Sequence, residues 1–233
     1  MPTQQDHGVE NTLFRAAVAK RLGGHVTPKD EGTPPVCHLV GREGRCGTAL
    51  DPERVHQNQC KCGGFISRRH DRISKFLHGW LQDGRSDSDV LLEQLVAGAD
   101  QGEGDRLDVT FESGGRRIWL DVAVVTTYTT SRRDRARRAK VPGAAARAEE
   151  AHKRSRYRGL ATPFVIEAGG RPGDSARTII AKYAVDKGDG ESMDVASAWQ
   201  SLSAIIQADT ADVELRACGW GPAQRADAPL VIP

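Results

Sequence analysis

Apolar residues in "SRRHDRISKFLHGWL" fall at Ile73, Phe76, Leu77, Trp80 and Leu81, which share one face of an α-helix. The pattern predicts a helix capped by Ser67 and stopped at Asp83-Gly84. A shorter stripe, Leu13, Phe14, Ala17, Val18 and Leu22, predicts a helix over 11–22 closed by Gly23-Gly24. Further helices are expected over 144–157, over 175–185, and around 192–206, where Val195, Trp199, Leu202, Ile205 and Ile206 form the stripe. Strand patterns occupy the gaps. "DVLLEQLV" (89–96) is a short apolar run, and "RLDVTFES" and "RRIWLDVAVV" flank Gly114-Gly115 as the arms of a hairpin. "TPFVIEAGG" (162–170) is bounded by Pro and Gly, as a buried strand is. The order helix–strand–strand–strand–helix–strand–helix predicts an α/β fold, an αβ sandwich around a mixed sheet. "VTPKDEGTPPV" (26–36) reads as a linker and "AQRADAPLVIP" (223–233) as a frayed tail.

Each arm of the hairpin carries one aspartate among apolar residues, Asp108 in the first and Asp121 in the second. A two-residue Gly114-Gly115 loop pairs residues whose numbers sum to 229, and Asp108 with Asp121 satisfies that sum. The carboxylates are therefore expected directly opposed on one sheet face, with Cβ atoms roughly 5 Å apart. Like charges so placed repel, and a divalent cation shared by both would offset the repulsion. Oxygen donors suit Mg²⁺ or Mn²⁺. The competing expectation is a solvated face on which the acids pair with arginines such as Arg117. Glu93 in the preceding strand, Glu167 at the end of "FVIE" and Lys153 in the following helix are candidates to join the pair. A lysine beside a metal site orients attacking water and stabilises the charge that develops on a phosphate.

Composition narrows the setting. Apolar content of 38%, 5% aromatics and a mean hydropathy of −0.50 fit a soluble protein, and no run approaches the length of a membrane span. "MPTQQDHGVENTLF" lacks the basic and then apolar regions of a signal peptide, so an intracellular protein is expected, nuclear if the source is eukaryotic. The net charge of +2 conceals a stretch, 131–158, with eleven Lys/Arg against three acids. Arg132, Arg133, Arg135, Arg137, Arg138 and Lys140 within it are candidate contacts to a nucleic-acid backbone; the alternative is a solvated helix or loop.

Four of the five cysteines lie within 37–62. "CHLVGREGRCGTALDPERVHQNQCKCGG" spaces Cys37-x8-Cys46-x9-His56-x3-Cys60, with Cys62 close behind. The His-x3-Cys end and the Cys-Gly step suit zinc. The wide first spacing leaves the remaining ligand open among Cys37, His38 and Cys62. Four protein ligands would make a structural zinc site with no open position for catalysis.

Taken in order, Cys…Cys-Gly…His-x3-Cys, "RRHDRI", "LD"-x12-"D", "KRSRY" and "FVIEAGG" form a set. It resembles the restriction-like endonuclease domain of non-LTR retrotransposon reverse-transcriptase polyproteins, a branch of the PD-(D/E)xK nucleases, with its upstream CCHC zinc knuckle. The resemblance covers residues 37–170. It implies a mixed-sheet αβ sandwich of restriction-endonuclease-like type, preceded by a helix and a small zinc knuckle. The corresponding divisions are 1–35 (helix and linker), 36–66 (knuckle), 67–210 (nuclease domain) and 211–233 (tail). It also implies a Mg²⁺-dependent (or Mn²⁺-dependent) endodeoxyribonuclease that nicks target DNA. On that pattern Asp108 and Asp121 are the metal-binding acids, Lys153 is the catalytic lysine carried on the following helix, and Tyr157 is its neighbouring tyrosine. Cys37, Cys46, His56 and Cys60 are the zinc ligands. The implied partners are DNA and, in a parent element, RNA or a reverse-transcriptase module. Leu107 stands where the motif has Pro, Ala123 where the wider superfamily has its lysine, and these 233 residues hold no reverse-transcriptase region. The alternative expectation is therefore a catalytically inactive zinc-containing nucleic-acid-binding module, a retrotransposon remnant.

Overall fold

The computed structural model describes residues 10–21, 25–26, 35–51, 55–83, 90–95, 106–129, 131–184, 194–223 and 230–231. The expected stops at Gly23-Gly24 and Gly84, most of the linker and most of the tail lie outside the described residues. In chain order the elements are α1 (Asn11–Arg21), β1 (His25–Val26), β2 (Val40–Gly41), β3 (Gly44–Arg45), α2 (Val55–Gln59), a 3₁₀ turn (Cys62–Gly64) and α3 (Phe65–Asp83). They continue with β4 (Leu91–Leu95), β5 (Arg106–Ser113), β6 (Arg116–Val125), α4 (Arg132–Lys140), α5 (Ala144–Arg156), β7 (Thr162–Glu167), α6 (Asp174–Tyr183), α7 (Val195–Ala217) and β8 (Leu230–Val231). The chain divides into two compact units. One comprises residues up to 69, 128–135 and 203 onward; the other comprises 70–127 and 136–202.

The second unit is built on a four-stranded sheet in the order β4-β5-β6-β7. The first three strands are antiparallel neighbours and β7 runs parallel to β6, so the sheet is mixed, as the element order predicts. A parallel pair needs a long connection, and α4 and α5 lie within it. At the β5–β6 turn Gly114 and Gly115 have φ of 58° and 72°, the pair of positive values that a tight two-residue hairpin demands. From Ser113–Arg116 to Val109–Leu120 the paired residues sum to 229, the register read from the sequence.

That ladder then ends. Beyond Leu120, β6 pairs with β7, from Leu120–Thr162 to Val125–Glu167, while β5 stays beside β4 down to Arg106–Leu95. β5 and β6 diverge just before Asp108 and Asp121 would pair. The expected opposition of the two residues across a continuous ladder is corrected accordingly: they stand on either side of a fork. In a continuing antiparallel ladder the N–H of Val122 would donate to Leu107. Here it donates instead to Asp108 Oδ2, at 2.6 Å.

Alternation assigns the two faces of this sheet. Leu107, Val109, Phe111, Leu120, Val122, Phe164 and Ile166 are buried on one face. The Phe111 ring meets Tyr183 of α6 edge-on, with centroids 5.0 Å apart. Asp108, Asp121 and Glu167 belong to the other face. There α5 presents Ala146, Glu150 and Lys153, spaced i, i+4, i+7 on one side of the helix. Ala144, Ala145 and Ala146 are buried, and such small side chains let a helix backbone approach a sheet closely.

In the first unit, Ala16 and Ala17 of α1 pack with Val26, Ala211, Leu215 and Cys218. Residues 230–231 form a strand antiparallel to β1, so a segment of the expected frayed tail is paired. α7 extends to Ala217, well past the apolar stripe that ends at Ile206. Its C-terminal half buries polar side chains that find partners: Asp212 with Arg68 at 2.7 Å and Arg216 at 2.9 Å, Thr210 with Arg69 at 3.1 Å, and Glu214 with Asn58 at 3.4 Å. α3 starts at Phe65, so Ser67 lies inside the helix and is not its cap. Its stripe is as expected, with Ile73, Leu77, Trp80 and Leu81 buried. No helix among the described residues is long and apolar enough to cross a membrane.

Candidate metal and carboxylate sites

The Cys-x8-Cys spacing is closed by the β2–β3 hairpin. Backbone bonds from Cys46 N to Leu39 O and from Gly47 N to Cys37 O bring the two cysteines together. His56 arrives on α2, whose first N–H groups, those of Val55 and His56, are both held by the Asp51 carboxylate at 2.8 Å. Cys60 follows on the next turn of chain. One ligand atom from each of Cys37, Cys46, His56 and Cys60 lies within 4.8 Å of every other. Cys37–Cys60 Sγ atoms are 4.0 Å apart, Cys46–Cys60 3.7 Å, and Cys46 Sγ–His56 Nε2 3.4 Å. Metal–sulfur bonds of about 2.3 Å at tetrahedral angles separate two sulfurs by about 3.8 Å, so this set could hold one metal ion. Cys37 is thereby the fourth member; His38 and Cys62 stand outside the group.

Hydrogen bonding and burial pull the three thiols in opposite directions. Each sulfur receives a backbone N–H from two residues further on: Leu39 for Cys37, Thr48 for Cys46 and Cys62 for Cys60. The Thr48 hydroxyl, 3.3 Å away, is the main reason that the Cys46 thiol is lowered to about 6. Burial raises Cys37 and Cys60, because desolvated thiolates need a compensating cation. The set also belongs to a packed layer, with Cys37, Leu39 and Cys60 against Val213 and Ala217 of α7.

The second constellation gathers at the β5–β6 fork. Asp121 is buried, and Lys153 Nζ of α5 sits 2.7 Å from its Oδ2, with both side chains largely shielded. Desolvation raises the Asp121 carboxyl, opposed by Lys153 and Arg156, while the Asp108 charge adds to the rise. Asp108 is half-buried. Its Oδ2 takes the Val122 N–H, and its Oδ1 lies 3.1 Å from His70 Nε2 on α3. Asp108 holds His70 up to about 9, against burial and with help from Asp71, whose Oδ1 is 3.1 Å from Nδ1. Two hard carboxylates, one beside a shielded ammonium, have the donor chemistry for a divalent cation.

Other candidates fall differently. Glu93 occupies the β4 position opposite Asp108 but interrupts that ladder with φ of 50°, and its exposed carboxylate is 3.6 Å from Arg106 Nη1. It does not form a three-ligand group with Asp108 and Asp121. Arg117 pairs with Glu112 rather than with either aspartate, 3.2 Å away. Glu167 is buried and accepts the Ala146 N–H at 3.3 Å, anchoring the start of the helix that carries Lys153. Tyr157 follows α5, with its ring under the Arg156 guanidinium at 5.1 Å. The first part of the basic stretch forms α4, in which no residue is buried. Arg132, Arg133, Arg135, Arg137 and Lys140 are exposed, while Arg138 is half-buried and donates to Thr126 O at 3.0 Å.

His70 is the member of the site that sequence reasoning did not nominate. The signal was present: His70 lies three and seven residues before Ile73 and Leu77, so it heads the buried stripe of α3. A polar residue on such a stripe needs a polar partner. In comparisons with known proteins, no family model matches the chain and no curated protein matches it.

Proposed function

We propose that the chain is a divalent-metal-dependent DNA endonuclease of restriction-like type, with Asp108 and Asp121 holding Mg²⁺ or Mn²⁺. Cys37, Cys46, His56 and Cys60 would hold a structural zinc, whose preferred donors are sulfur and imidazole nitrogen. The observation that carries the reading is the pairing of Lys153 with Asp121 at 2.7 Å beside Asp108. These groups are distant in sequence, converge at a gap in a sheet, and match the order of a nuclease motif. When bound, the cation would supply Lewis acidity toward a phosphate oxygen and activate water. Asp108 and Asp121 would orient it. Lys153 would stabilise charge developing on the phosphate, and Arg156 would add to the local positive field. Exposed cations of α4 would contact the DNA backbone without reading its sequence.

A second reading has its own support. Asp108 faces His70 and Asp121 faces Lys153, so both acids already have counter-charges within the chain. That balance suits a silent nucleic-acid-binding module. Incubation with supercoiled plasmid and Mg²⁺ or Mn²⁺ separates the two. Nicking by the parent and not by Asp108→Ala is expected; DNA binding without nicking by either would establish the silent module.

A further inference from the structure

We propose that His70 is a positioning residue of this site, fixing the Asp108 carboxylate for the divalent cation. The inference rests on the reading of Asp108 and Asp121 as cation ligands, and goes beyond it by giving a role to His70, which lies in "RRHDRI" but is not one of the ligand or lysine positions that the resemblance supplies. Its ground is the fork. Because the β5–β6 ladder ends at Val109–Leu120, strand pairing no longer sets Asp108 relative to Asp121. The Asp108 side chain is instead held from two elements. Oδ2 accepts from Val122 N on β6 at 2.6 Å, and Oδ1 meets His70 Nε2 on α3 at 3.1 Å. Together these contacts fix the plane of the carboxylate, and each oxygen keeps a further lone pair for a cation.

The imidazole is itself held. Its Nδ1 lies 3.1 Å from Asp71 Oδ1, and Ile73 and Leu77, fully buried on the same side of α3, anchor the helix beneath it. Lys153 is not an equivalent device, because its ammonium is also suited to meet a phosphate, whereas the ring is engaged by carboxylates at both nitrogens. Removing a hydrogen-bonding partner behind a metal ligand lowers metal affinity by about 10–100-fold. That range is the effect expected here.

The test is calorimetric titration of zinc-loaded protein with Mn²⁺ in the absence of DNA. The parent should bind Mn²⁺ and Asp121→Ala should not. His70→Ala should bind about 10–100-fold more weakly. His70→Gln, which can place an amide N–H near the position of Nε2, should recover most of the affinity. If His70→Ala does not fold, His70→Gln against His70→Leu makes the same comparison at similar size. Binding by His70→Ala or His70→Leu as tight as the parent's, or tighter, overturns the role of His70 while leaving the carboxylate reading intact. A parent that binds no Mn²⁺ overturns both.

Discussion

The Cys/His group and the aspartate pair solve the problem of clustered ionisable groups in opposite ways. In the first, four soft donors are gathered within 4.8 Å, each sulfur receiving a backbone N–H. They come from one short stretch, residues 37–60, folded by a hairpin and a one-turn helix. In the second, two hard carboxylates stand on diverging strands, and each has a cation of the protein beside it, His70 or Lys153. They are brought together by α3, β5, β6 and α5. A gathered set of buried thiols is incomplete without its metal, so metal and local fold should stand or fall together. A separated pair with built-in counter-charges can be folded without one.

The largest expected effect comes from removing the soft metal. A strong chelator, or Cys60→Ser, should abolish stoichiometric zinc and cost several kcal/mol of local stability. Hydrogen exchange should accelerate over 37–62 while the β5–β6 amides stay protected. Zinc content below half an equivalent in the untreated protein would break the comparison at its first term. Next comes Asp121→Ala, which leaves the shielded Lys153 ammonium without its carboxylate and should destabilise by about 3 kcal/mol in a denaturant titration. Asp121→Ala/Lys153→Met should regain much of that stability. Zinc content should not change in either variant.

A smaller effect concerns pH. His70 is raised from 6.5 to about 9, chiefly by Asp108, so the imidazolium form is stabilised in the folded state. Its contribution is therefore complete below pH 6.5 and is lost as pH rises through about 9. Without added Mg²⁺, thermal stability should fall across that window more steeply in the parent than in His70→Gln. The smallest effect on structure belongs to α4, where no residue is buried. Changing Arg132, Arg133 and Arg137, all exposed, to alanine should leave the melting temperature unchanged. The salt dependence of DNA binding should flatten by about 0.9 for each phosphate that the variant no longer neutralises.

How much of this was legible depended on the range of the forces involved. Gly114-Gly115 fixed the β5–β6 register, because a two-residue loop permits one pairing. The point where the strands diverge was invisible, since it depends on β7 arriving beside β6 from 162 onward. His56 and Cys60 could be named from their spacing. The choice of Cys37 over His38 and Cys62 required the β2–β3 hairpin, which turns a wide spacing into a short distance. The apolar stripe lost α7 after Ile206, because Asp212 and Glu214 are buried by ion-pairing and hydrogen bonding rather than by hydrophobicity. Lys153 was nominated by position along a motif, whereas its 2.7 Å contact with Asp121 is a product of α5 docking on the sheet.

If Asp108 and Asp121 hold a cation that cuts DNA, removing one carboxylate charge must stop the cutting. The most direct measurement is the rate at which zinc-loaded Asp121→Asn nicks supercoiled plasmid in saturating Mg²⁺, beside the parent at equal zinc content. Asn keeps the size of the side chain and removes its charge. A nicking rate lower by a factor of about 100 or more, with DNA binding retained, is the result expected of a catalytic ligand. Nicking by Asp121→Asn at the parent's rate would contradict it.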